Sequence, residues 1–134
     1  MEVKASRQVA RSASSEVCQT YYVDESSVAA VQEVMPSDDV LRRVADEFGA
    51  LADPTRLKLL FALSLRELCV CDLCRVTDRS MPAVSQQLQK LRRMGLVRYR
   101  TSGKLAYYRL HSPLVRRLLR SAIRRWSPED NDES

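Results

Sequence analysis

Several things are missing from this chain, and each absence excludes a class of protein. No apolar run approaches the ~20 residues of a membrane-spanning helix. The longest, Leu59 to Leu65, is broken by Ser64 and flanked by Lys58 and Arg66. The N-terminal bases Lys4, Arg7 and Arg11 have no apolar segment behind them. No secretory signal is therefore expected, and the chain reads as cytoplasmic with no membrane partner. Histidine occurs once, at His111, remote in sequence from the cysteines. That leaves no base beside a thiol and argues against an enzyme. Acids are absent from residues 79 to 126, a stretch that holds 13 lysines and arginines.

That last absence organises the charge. Residues 1 to 78 carry 9 bases and 13 acids, the last six residues add 4 acids, and the net charge is +5. The basic half is a cation field that seeks a polyanion, although a solvated positive face would carry the same charges. At 134 residues the chain is one domain with a tail at each end, large enough to fold without disulfides. In a reducing compartment its clustered cysteines point to metal binding or redox chemistry.

Residues 1–36 read as an N-terminal extension, mostly disordered up to residue 20, with Cys18 and Tyr21-Tyr22-Val23 as a sticky patch. Asp24 to Met35 has the spacing of a short helix that Pro36 ends. Residues 37–126 carry the folded domain. Ser37 caps a helix whose Val40, Leu41, Val44, Phe48 and Leu51 share one face. Asp53-Pro54 starts a second helix, running to about Ser64. After a short connection, Leu65 to Leu68, a third helix spans Val70 to Val76. Thr77 to Ser80 is a turn, and a fourth helix spans Met81 to Met94, stopped by Gly95. Leu96 to Tyr99 and Leu105 to Leu110 alternate like the strands of a hairpin with a basic tip. A last helix spans Ser112 to Trp126, and residues 127–134 are an acidic tail expected to be disordered. The fold class is mainly α with a β-hairpin.

Helix, four-residue turn, helix and basic hairpin is the order of a winged helix-turn-helix. A recognition helix must offer polar groups near its N-terminus to base edges. Ser85, Gln86 and Gln89 are placed to do so, while Lys90, Arg92 and Arg93 meet phosphates. Arg98, Arg100 and Lys104 on the hairpin reach the backbone or minor groove. Double-stranded DNA is the expected partner. The last helix carries an apolar stripe: Leu114, Val115, Leu118, Leu119, Ala122, Ile123 and Trp126. The stripe suits either a homodimer interface or closure of the chain's own core.

Cys69, Cys71 and Cys74 fall within six residues, just ahead of the helix-turn-helix. Thiolates select thiophilic cations such as Cd(II), Pb(II), Zn(II) or As(III), and a helix N-terminus favours the thiolate. Ideal helical geometry does not gather all three sulfurs, because Cys69 precedes the helix. A pair of them with an outside ligand distorts the helix start less, and Cys18 is the natural outside ligand. Cys74 alone is equally suited to the core. A thiol redox sensor is the competing reading.

Leu51-Ala52-Asp53-Pro54-Thr55-Arg56, then Glu67-Leu68-Cys69-Val70-Cys71-Asp72-Leu73-Cys74, then Ser80 to Leu88 and Gly103 to Leu110 together resemble the ArsR/SmtB family of metal-responsive repressors. The resemblance covers about residues 37 to 126. It implies a homodimeric winged-helix repressor that holds its operator when metal-free and releases it on binding metal. Two branches share the cysteine box. The arsenical branch, answering As(III) and Sb(III), uses thiols matching Cys69, Cys71 and Cys74. The CadC-like branch, answering Cd(II) and Pb(II), uses those matching Cys69 and Cys71 with cysteines from the other subunit's N-terminal extension. The segment Cys18 to Glu25 is similar to that extension, except that the second cysteine expected near Tyr22 is absent. Cys74 then stands as the candidate fourth ligand, unless the site is three-coordinate. The family's other metal site, in the last helix, finds Ser112, Leu114, Arg125 and Pro128 in place of its Asp and His ligands, so that site is expected to be missing.

Overall fold

The computed structural model describes residues 16–128. The expected disorder of residues 1–15 and of the acidic tail 129–134 falls outside them. The chain divides into two compact units, Met1–Leu41 and Arg42–Ser134.

In the first unit, helix α1 spans Glu25–Val34. Its cap is Asp24, whose carboxylate accepts from the Ser27 hydroxyl at 2.8 Å, the Ser26 hydroxyl at 3.0 Å and the Ser27 amide at 3.3 Å. These bonds, led by the Ser27 hydroxyl, hold the carboxyl below the usual aspartate range. The next helix, α2 (Asp38–Ala50), begins in this unit and ends in the second. Ser37 Oγ caps it by accepting from the Val40 amide at 3.2 Å, as its position before two acids predicts.

The second unit is built on short helices and one small sheet. Helix α3 (Pro54–Leu65) starts with Pro54 in its first turn, and Asp53 accepts from the Arg56 amide at 3.0 Å. A two-residue strand, β1 (Leu68–Cys69), runs directly into α4 (Val70–Thr77). Helix α5 (Met81–Arg93) is capped by Ser80. Strands β2 (Val97–Ser102) and β3 (Leu105–Leu110) form the hairpin, and α6 (Pro113–Trp126), capped by Ser112, follows.

The core lies where α3, α4 and α5 meet the sheet and α6. Leu59, Leu60, Leu73, Leu88, Leu91, Val97 and Val115 are among its fully buried side chains. Between α4 and α5 the chain turns through Asp78, in the left-handed region at φ 56°. Thr77, expected in the turn, is instead the last residue of α4. Its hydroxyl donates to the Leu73 carbonyl at 2.7 Å, which satisfies it in a buried position. After α5, Gly95 adopts φ 79°. Its amide donates to Arg92 and that of Leu96 to Leu91, the two-bond helix stop that a glycine permits.

The sheet has three strands in the order β1-β3-β2, all antiparallel. The hairpin strands reach further than alternation alone predicts: Ser102 pairs with Leu105, leaving only Gly103-Lys104 as the turn. Gly103, at φ 60°, supplies the positive φ that such a tight turn requires. Strand β1, expected as mere connection, pairs Leu68 with Tyr108 and Cys69 with Tyr107.

Candidate metal centre and nucleic-acid interface

The cysteine box sits at a junction between strand and helix. Cys69 ends β1 and is also the N-cap of α4. Asp72 closes the cap from the other side, its Oδ2 accepting from the Cys69 amide at 3.1 Å. Cys69 thus stands at the cap position where serine or threonine is usual. Cys69 is buried there, 6% exposed, and its register partner is Tyr107, on the face of the sheet away from the core. Cys71, two residues later on the first turn of α4, is exposed; Cys74, one turn further, is half-buried against the core. The three sulfurs therefore have three different environments. Among the described residues, no three His, Cys, Asp or Glu side chains are gathered where one ion could be held. Cys18 lies in the first unit and is exposed. The donor set is soft sulfur, which fits a thiophilic ion in chemistry.

The second functional face is α5 with its hairpin. Gln86, Gln89, Lys90 and Arg93 are exposed on α5, and Ser85 is half-buried at its N-terminal end. Val84, Leu88 and Leu91 hold the opposite side of the helix in the core. On the hairpin, Arg98, Arg100 and Lys104 are exposed. Strand alternation separates two faces. Val97, Tyr99, Tyr108 and Leu110 lie toward the core side, where the Tyr99 and Tyr108 rings stack at 5.3 Å between centroids. Arg98, Arg100, Tyr107 and Arg109 occupy the other face.

Two contacts escape a reading of the sequence. Arg100 donates from Nη2 to Glu67 Oε1 at 2.8 Å and from Nε to Glu67 Oε2 at 3.0 Å, a two-point fork across 33 positions of chain. Glu67 immediately precedes β1, so this pair joins the hairpin to the cysteine box. The paired guanidinium holds the Glu67 carboxyl below the usual glutamate range. The Arg100 guanidinium also covers the Tyr107 ring, 4.8 Å from its centroid. Acid and base side by side in space are the only signal that finds this pair, and neither residue is distinctive by spacing.

The last helix buries only part of its apolar stripe. Val115 and Leu119 are in the core, whereas Leu114, Ile123 and Trp126 are 39%, 40% and 77% exposed. An apolar groove of about 720 Å³ opens beside it, lined chiefly by Leu57, Phe61, Leu65, Leu68, Val76 and Ile123. Arg116 reaches across from α6 to donate to the Ser64 carbonyl at the end of α3.

A capped helix pair with a left-handed turn, an exposed polar and basic second helix and a two-stranded wing define a winged helix-turn-helix DNA-binding domain. Residues 53–99 match the family model of the bacterial regulatory proteins of the arsR family. The chain is 43% identical over 104 residues to a transcriptional repressor SmtB homolog from Synechocystis, covering 78% of this chain and 79% of that one. It is 35% identical over 109 residues to a cadmium resistance transcriptional regulatory protein CadC homolog from Staphylococcus aureus, covering 81% and 89%. Its fold is similar to a homodimeric winged helix-turn-helix DNA-binding domain from Mycobacterium bovis, with a TM-score of 0.58 and 33% identity over 66% of this chain and 85% of that one. The chain belongs to the ArsR/SmtB family of metal-responsive transcriptional repressors and has CadC-like relatives. Among the described residues, no helix is long and apolar enough to cross a membrane.

Proposed function

We propose that this chain is a repressor that holds operator DNA when metal-free and lets go on binding Cd(II) or Pb(II), with Zn(II) as a further inducer. The observation that carries the choice of metal is a fourth free thiol, Cys18, exposed in the N-terminal extension, in addition to the three of the box. A ligand from outside the box completes the site best, and Cys18 in the N-terminal extension is that ligand. The similarity to a cadmium resistance regulator supports the same choice. Cys69 and Cys71 supply the other two thiolates. Cys74, half-buried, is available as a fourth. The site bridges subunits, with Cys18 coming from one chain and the pair from its partner.

The bound ion supplies a charge that several thiolates can share. Everything else is done by the chain. Ser85, Gln86 and Gln89 read base edges, while Lys90, Arg93, Arg98 and Lys104 engage phosphates. A homodimer sets two α5 helices in successive major grooves ~34 Å apart. When Cys69 leaves its cap, the start of α4 and strand β1 shift, and that spacing is lost. A coupling of ~1–3 kcal/mol changes operator affinity ~5–150-fold.

Titration of Cd(II) into reduced protein, followed by sulfur-to-metal charge-transfer absorption and by operator release, tests the reading. Cys18→Ser is expected to weaken Cd(II) binding and abolish release. Unchanged affinity and unchanged release in that variant would defeat the bridging site. Release by arsenite that survives loss of Cys18 but not of Cys74 would assign the three-thiol site of the arsenical branch instead.

A further inference from the structure

The register of the sheet aligns Arg100 on β2, Tyr107 on β3 and Cys69 on β1 in a single row across the three strands. Above this row lies the Glu67–Arg100 fork, with the guanidinium covering Tyr107. Glu67 is 31% and Arg100 53% exposed at the side chain, so the pair is accessible but occupied. We propose that Arg100 is a positioning residue rather than a phosphate contact: it fastens the wing to the cysteine box through Glu67, and so carries the state of the box to the DNA. This deepens the repressor reading above and rests on it.

Three features support the assignment. A fork through Nε and Nη2 fixes the guanidinium plane, which a single ammonium cannot reproduce. The ring of Tyr107 covers one face of that guanidinium, and the Glu67 carboxylate takes two of its N–H groups. Its partner is the residue next to β1, and β1 has only two pairs with which to hold the wing by backbone alone. When Cys69 leaves its cap position, β1 moves and Glu67 moves with it. The fork then shifts Arg100, and Arg100 shifts β2. The neighbouring Arg98 is in register with Arg109, another base, so it stays with the phosphate-binding set.

The two roles predict opposite results in binding experiments with the full chain, an operator duplex and Cd(II) under reducing conditions. For a positioning residue, Arg100→Ala lowers metal-free operator affinity without changing its dependence on salt. Arg100→Lys fails to restore that affinity, because the fork is lost. Glu67→Gln lowers metal-free affinity as well, leaves Cd(II) affinity of the DNA-free protein unchanged, and reduces the ratio of metal-free to metal-bound operator affinity about 5-fold or more, a typical allosteric coupling. A purely structural role would lower both affinities alike and leave the ratio intact. For a phosphate contact, Arg100→Ala reduces the salt slope by about 1, Arg100→Lys restores binding, and Glu67→Gln strengthens it by freeing the guanidinium. Either of these two patterns overturns the proposal. If the unaltered protein does not release DNA with Cd(II), the metal reading fails, while the salt slope and the lysine variant still decide the role of Arg100 in metal-free protein.

Discussion

The guanidinium of Arg92, in the last turn of α5, lies over the Tyr99 ring of β2, 5.6 Å from its centroid. Tyr99 is in turn stacked on Tyr108, so the end of the recognition helix is tied to the wing through two aromatic rings. Helix and hairpin are therefore joined by side chains at the end of α5. Cation–π contacts at exposed sites contribute about 0.5–1 kcal/mol. Arg92→Ala and Tyr99→Leu are each expected to lower stability to urea, and the double variant should reveal a coupling of about that size. A coupling indistinguishable from zero would remove this tie from the account.

Asp78 sets the angle between the two helices of the DNA-binding pair. Its φ of 56° suits glycine and tolerates aspartate, but a β-branched side chain meets its own backbone there. Asp78→Val is expected to destabilise the chain by about 1–2 kcal/mol. Asp78→Gly should leave stability within about 1 kcal/mol of the original, since relief of strain opposes added freedom in the unfolded chain. Urea midpoints distinguish the two, and a valine variant as stable as the glycine one would contradict the assigned turn.

Burial pushes the Tyr108 phenol above its ordinary value, with the Arg92 cation opposing and Tyr99 adding to the rise. The sign follows directly. The proton is held more tightly in the folded chain than in the unfolded one, so this contribution to stability is complete below the unfolded value of about 10 and fades as pH climbs through the higher folded value. Urea midpoints taken on the alkaline side should fall with pH, and fall less steeply in Tyr108→Phe. Equal slopes would mean that the buried phenol does not titrate in this way.

Ile123 is exposed on α6 yet lines the apolar groove with Phe61, Leu65 and Val76. Apolar surface of this kind suits a second copy of the chain, and a solved winged helix-turn-helix relative is homodimeric. Ile123→Glu should therefore weaken dimerisation at least ~10-fold, equivalent to about 1.4 kcal/mol, with helical content unchanged by circular dichroism. Sedimentation equilibrium gives the association constant. A variant that self-associates as tightly as the unaltered chain would place the interface elsewhere.

Much of this architecture is legible from local chemistry. Ser37, Asp53, Ser80 and Ser112 each cap the helix that their position announces, and Pro54 and Pro113 stand at helix starts where a proline belongs. Gly95 and Gly103 fall where positive φ is needed. These are interactions within a few residues, and a sequence states them openly. Strand β1 escaped because two residues are too few to show alternation, and their pairing partners lie about 40 positions away in the hairpin. The Glu67–Arg100 fork escaped for the same reason of distance. The apolar stripe of α6 was visible as a stripe, but only packing shows that Val115 and Leu119 go inward while Leu114, Ile123 and Trp126 do not. The cysteine box is evident from spacing, whereas the burial of Cys69 goes with its double duty as strand end and helix cap.

The brevity of β1 also has a kinetic side. Two rungs at the margin of a sheet fray far more often than the six-pair ladder beside them. The amides of that margin should exchange with heavy water ahead of those in the ladder.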